Sequence, residues 1–167
     1  MSIEHDFFGI LGDEDEGEVY WSESAELGDQ SVEIDLSAPD EASVTAEALD
    51  IAAAMIGSIE DLDSQVRESL VADLSAEVSV TSQYIAEQLD EMEPEAIEDA
   101  IIWDSGDQQI DFLRSLRLQR IGFHPHHSGN EAHFAILEYA ISPDDTDGLL
   151  VVTIDVHGDT VLVALDN

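Results

Sequence analysis

An α+β fold is what this sequence predicts: an N-terminal β-hairpin, three to four central helices and a C-terminal four-stranded antiparallel meander, forming one helix-covered sheet and a single domain over residues 1–167. Three observations predict it. Apolar residues alternate with polar ones between Val19 and Leu36. They recur every three to four residues from Ala48 to Ile101. Beyond Leu116 they gather into Val-, Ile- and Leu-rich runs separated by turn residues.

The hairpin comes first. Val19 and Trp21 alternate against Tyr20 and Ser22, then Val32, Ile34 and Leu36 against Glu33 and Asp35, and the stretch from Glu23 to Gln30 with its Gly28-Asp29 pair reads as the connecting loop. One face would be apolar and the other acidic. The acidic stretch from Gly12 to Gly17 is too polar to pack.

The helical zone follows Pro39-Asp40. Ala48, Leu49, Ala52, Met55, Ile56 and Ile59 repeat at helical spacing, with Gly57 as a stop. Ser58 with Asp61 offers the next start, and Leu62, Val66, Leu70 and Leu74 form an i, i+4 stripe. Tyr84, Ile85, Gln88, Leu89 and Met92 continue the period. Pro94, suited to a first helical turn, opens a short helix through Ala96, Ile97, Ala100 and Ile101, which the turn residues Asp104-Ser105-Gly106-Asp107 end.

The meander strands are Leu116 to Phe123, Ala132 to Ile141, Leu149 to Val156 and Thr160 to Leu165, separated by Ser128-Gly129-Asn130, by residues 143–148 and by His157-Gly158-Asp159. The second strand carries Phe134 and Ile136 on one face and Leu137 and Tyr139 on the other. Strands apolar on both faces lie centrally, with helices over at least one face. The alternation slips by one residue between Leu118 and Ile121, which predicts a β-bulge near Gln119 and Arg120.

Charge bounds the function more tightly than any motif. Forty acidic side chains face four arginines and no lysine, a formal net charge of −36. Such a surface is expected either to suit concentrated salt, where self-repulsion is screened, or to meet a strongly basic partner protein. Nucleic acid is excluded as a partner, because the basic footprint its phosphates require is missing. No cysteine means no disulfide framework and no thiolate chemistry. The first ten residues, with Glu4, His5 and Asp6, lack a signal peptide's basic and apolar regions, and no apolar run approaches the ~20 residues of a membrane span. A soluble, cytoplasmic protein with no membrane partner is expected. Its oligomeric state is open.

Few residues suggest chemistry. His124, His126 and His127 follow one strand and His133 opens the next, so a hairpin would gather four imidazoles of the kind that bind zinc. Against this, Pro125 forces an extended kink and the spacing matches no zinc motif. The loop around Asp145, Thr146, Asp147 and Gly148 has part of a calcium-binding pattern but places Pro143 and Ile154 where ligands belong, and the Asp13, Asp15, Gly17 series puts glycine at a ligand position. No nucleophile elbow or phosphate loop is present, and no cofactor is expected. Arg114, Arg117 and Arg120 lie close enough in sequence to grip an anionic ligand, the competing reading being neutralisation of neighbouring acids. Arg67 stands alone.

The opening Phe7-Phe8-Gly9, then Val19-Tyr20-Trp21, the strand Val32-Glu33-Ile34-Asp35-Leu36, the run from Leu116 to Phe123, and the last hairpin from Val151 to Val161 resemble a loose set of small prokaryotic domain-of-unknown-function families. Some members of that set look like immunity proteins encoded beside polymorphic toxins. The resemblance implies a non-catalytic binder and carries over no functional residue. The expected function is therefore an acidic protein-binding domain with a salt-adapted surface, immunity-like, inhibiting a basic toxin. Tyr20, Trp21, Asp13, Asp15 and Glu18 are its expected interface. The alternative is a metal-dependent enzyme using His124, His126, His127 and His133.

Overall fold

A computed structural model of the chain describes residues 3–11, 19–27, 30–38, 44–76, 79–103, 106–124, 134–141 and 148–166. A small antiparallel hairpin, β1 (Ile3–His5) and β2 (Gly9–Leu11), leads into a six-stranded sheet. The long hairpin is β3 (Val19–Leu27) and β4 (Gln30–Ala38), and the meander is β5 (Arg117–Phe123), β6 (Ala135–Ala140), β7 (Leu149–Ile154) and β8 (Thr160–Asp166). The strands lie in sequence order from β3 to β8.

One junction fixes the architecture. β4 pairs with β5 in parallel, Ile34 opposite Ile121 and Leu36 opposite Phe123, whereas every other pairing in the sheet is antiparallel. Parallel neighbours need a long crossover. Here it carries every helix of the described residues: α1 (Ala46–Gly57), α2 (Ile59–Asp73), α3 (Val80–Glu91), α4 (Pro94–Ala100) and α5 (Gln108–Ser115).

Among the described residues five helices replace the expected three to four. The addition is α5, in the span between the turn ending at Asp107 and the strand opening at Leu116, to which the sequence reading gave no element. Asp107 starts it rather than ending its predecessor, its carboxylate accepting from the backbone N–H of Gln109 and Ile110 at 3.0 and 3.2 Å, and Phe112 and Leu113 are buried. Two starts follow the sequence reading. Ser58 stands at the α2 N-cap without a side-chain bond, and Pro94 occupies the first turn of α4. Thr45 and Ser79 cap α1 and α3, each hydroxyl accepting an N–H three residues on.

The expected loop from Glu23 to Gln30 is mostly strand. Pairing runs unbroken from Val19 opposite Ala38 to Leu27 opposite Gln30. Polar Glu23, Ser24 and Glu26 mask the alternation there, yet extended backbone pairs whatever side chains it carries. The predicted bulge is present: Leu118 pairs with Tyr139 and Arg120 with Glu138, leaving Gln119 as the extra residue. It turns both Leu118 and Ile121 into the core although they are three residues apart, and sends Arg120 to the opposite face.

The core lies between the helices and one face of the sheet. Val32, Ile34 and Leu36 of β4, Ile121 and Phe123 of β5, and Leu137 of β6 meet Leu49, Leu62, Val66, Leu70 and Phe112 from the helices. Phe8 of the small hairpin packs edge-on against Trp21, with ring centroids 4.7 Å apart, and closes the end of this core. His5 ties that hairpin to α1. Its Nε2 lies 2.8 Å from Asp50 Oδ1, while its Nδ1 accepts from the Phe7 backbone N–H at 3.1 Å.

Candidate binding face on the sheet

The face turned away from the helices is a set of rows running across all six strands. One row is Ser24, Glu33, Arg120, Glu138, Val151 and Ala164. The next is Ser22, Asp35, Gly122, Ile136, Thr153 and Leu162. Both run from hydroxyls and carboxylates at the β3 side to aliphatic groups at the β8 side, because alternation leaves this face to whatever the core does not use.

At the acidic side a groove of about 330 Å³ lies along β3 and β4, lined by Tyr20, Ser22, Glu23, Ser24, Glu33 and Asp35. Tyr20 projects beside it and is 63% exposed. Exposed tyrosine near carboxylates combines a large apolar contact with a hydroxyl that bonds, the chemistry of an interface anchor.

The one cation in these rows is committed. Arg120 Nε donates to Asp35 Oδ2 at 2.6 Å and its Nη1 to Glu138 Oε2 at 3.4 Å. The hydrogen bond it donates to Asp35, more than any other influence, raises the pKa of the guanidinium above its already high ordinary value. Gly122 permits the pair: a β-carbon there would stand 3.2 Å from Asp35 Oδ1. Two carboxylates around one guanidinium leave the face net acidic.

The other arginines part company. Arg117 starts β5 opposite Ala140, and Arg114 lies in the last turn of α5, so only Arg117 and Arg120 share the sheet. Arg67, which the sequence left solitary, is the most engaged of the four. Its Nε binds Asp63 at 2.9 Å, and its Nη atoms donate to the carbonyls of Leu113 at 2.7 Å and Leu116 at 2.6 Å, closing the end of α5. Asp63 stands four residues before it, the one signal the sequence offered.

Of the expected interface residues, Tyr20 and Trp21 point to opposite faces. Trp21 is half-buried against Phe8, and Phe7 lies 6.0 Å away. Asp13, Asp15 and Glu18 lie outside the described residues, as do His126, His127 and His133 and the loop holding Asp145 and Asp147. His124 follows β5, its backbone N–H donating to the Phe134 carbonyl at 2.8 Å. Among the described residues no group of three His, Asp or Glu side chains is placed to hold a metal ion. Among them too, no helix is long and apolar enough to cross a membrane.

Compared with protein-family models, with curated proteins and with solved structures, the chain matches none.

Proposed function

We propose that this chain is a non-catalytic, acidic protein-binding domain that docks the basic surface of another protein, as an immunity-like inhibitor of a basic toxin would. The observation that carries the reading is the groove along β3 and β4. It presents Glu33 beside an exposed Tyr20, with Arg120 already held by Asp35 and Glu138. Clustered carboxylates raise the rate of encounter with a cationic partner, and a central aromatic supplies the contact that holds it. The excess of acid spread over the remaining chain supports a working environment of concentrated cytoplasmic salt, in which charges attract a partner only at short range.

The test is affinity capture from native-salt lysate, with the wild type beside Tyr20→Ala and Glu33→Arg, followed by direct titration of the retained protein. A basic protein held by the wild type and bound at least tenfold more weakly by both variants is expected. Repeated capture of no partner, or of one indifferent to both substitutions, overturns the reading.

A further inference from the structure

The two edges of the sheet are treated differently by the sequence. At one edge, β3 carries Glu23 and Glu26, and the aromatic pair of the small hairpin stands against Trp21. Charges and covering elements are how a protein prevents its edge strands from pairing with other chains. At the opposite edge, Thr160 to Leu165 of β8 contains no charge, no proline and no glycine. Val161 and Leu162 are 45% and 51% exposed, and the sole irregularity is the register shift near Val161. Beside this edge lies a groove of about 540 Å³ between β8 and the facing ends of α2 and α3, to which Ala72, Asp73, Ala76, Val80 and Val163 contribute.

We propose that β8 pairs antiparallel with β8 of a second copy of this chain, about a two-fold axis at Val163, joining two sheets into one. The occupant must be an extended backbone, since a row of unpaired N–H and C=O groups is what the edge offers. A basic partner finds no carboxylate between Thr160 and Leu165. A copy of a chain at −36 has the opposite need, because it approaches itself most easily through a surface poor in charge, and along this edge the carboxylates are confined to Asp166 at the end of β8 and Asp73 in the groove. The two-fold register suits it: Leu162 falls opposite Ala164, Val161 opposite Leu165 and Val163 opposite itself, all apolar, with Thr160 opposite Asp166 at the two ends. Leu165 of the second copy then lies at the groove beside Val161. The acidic groove on β3 is left free at both far ends, so the inference goes beyond partner binding and stands whether or not that reading holds.

Because the rest of both surfaces is anionic, pairing should need screening. Sedimentation velocity in dilute buffer and in molar potassium chloride tests it, with Leu162→Asp as the disrupting variant. Circular dichroism of each variant in the same salt separates loss of pairing from loss of fold. The chain has no cysteine, so Val163→Cys reports the axis directly by disulfide formation between copies, with Ser24→Cys on β3 as the control. The expected result is a dimer in molar salt whose Kd rises at least tenfold in Leu162→Asp, and cross-linking of Val163→Cys but not of Ser24→Cys. A wild type monomeric at every salt concentration overturns the proposal. So does a dimer unaffected by Leu162→Asp, or one in which Val163→Cys fails to cross-link.

Discussion

Arg67 stands over the ring of Tyr139, its guanidinium carbon 5.3 Å from the ring centre, and the Asp63 carboxylate binds both, accepting from the Tyr139 hydroxyl at 2.8 Å and from Arg67 Nε. Helix α2, the end of α5 and strand β6 therefore meet at one guanidinium. Planar Arg with several donors serves this position as Lys cannot.

Arg67→Ala is expected to destabilise the fold by about 3 kcal/mol, since it leaves Asp63 largely buried without its cation and the Leu113 and Leu116 carbonyls without donors. Arg67→Lys should recover less than half of that. Denaturant unfolding in molar potassium chloride measures both, and equal stability of Arg67→Lys and wild type would contradict the assignment.

Gln88 is fully buried, and neither amide atom finds a hydrogen-bond partner among the described residues. A β-carbon at Gly148 would collide with that amide. Gln88→Met should stabilise by roughly 1 kcal/mol by removing the orphaned amide, whereas Gly148→Ala should cost about 1–3 kcal/mol through overcrowding. The double variant should lose less than the two effects added, because the flexible thioether yields to the new methyl. Strict additivity in a double-mutant cycle would show that the two sites do not touch.

Burial raises the Tyr84 pKa to about 12, its hydroxyl being enclosed against the Gly148 carbonyl at 3.1 Å, and burial with Asp63 beside it raises Tyr139 well above the ordinary value. A phenol raised on folding contributes stability that is fully present below its unfolded pKa, near 10, and lost as the pH climbs through the folded value. Stability should thus be indifferent to these groups up to pH 10 and fall steeply by about pH 12. Tyrosinate absorbance followed beside circular dichroism checks it. Ionisation of both buried phenols before any loss of fold would refute the prediction.

Repulsion among forty carboxylates should make stability rise with salt. At about 0.1 M the Debye length is ~10 Å and repulsion between neighbouring carboxylates persists, whereas at about 1 M it falls to ~3 Å. A gain on the order of a few kcal/mol is expected, read as rising thermal midpoints over a potassium chloride series. Midpoints that do not move from dilute buffer to brine would leave the charge without a stability role.

Much of the fold was legible in the chain because side-chain period records which face an element buries. The i, i+4 stripe of Leu62, Val66 and Leu70, the proline start of α4 and the slip that marks the bulge at Gln119 are local signals, and each corresponds to a feature of the structure. Helix α5 was hidden because its eight residues show little more than two turns of period and its cap, Asp107, also suits a turn. The later half of the β3–β4 hairpin was hidden because Glu23, Ser24 and Glu26 are polar.

By itself, then, the amino-acid order determined the α+β class, the acidic character, the absence of thiol chemistry and most element positions, all properties of neighbours along the chain. Only the tertiary structure decided that β4 joins β5 in parallel, that Arg120 binds Asp35 while Arg67 joins three elements, and that Tyr20 stands beside a groove lined from both β3 and β4. Those relations depend on residues tens of positions apart. Which of them meet is settled by how the whole apolar surface is buried at once, and no local period encodes that choice.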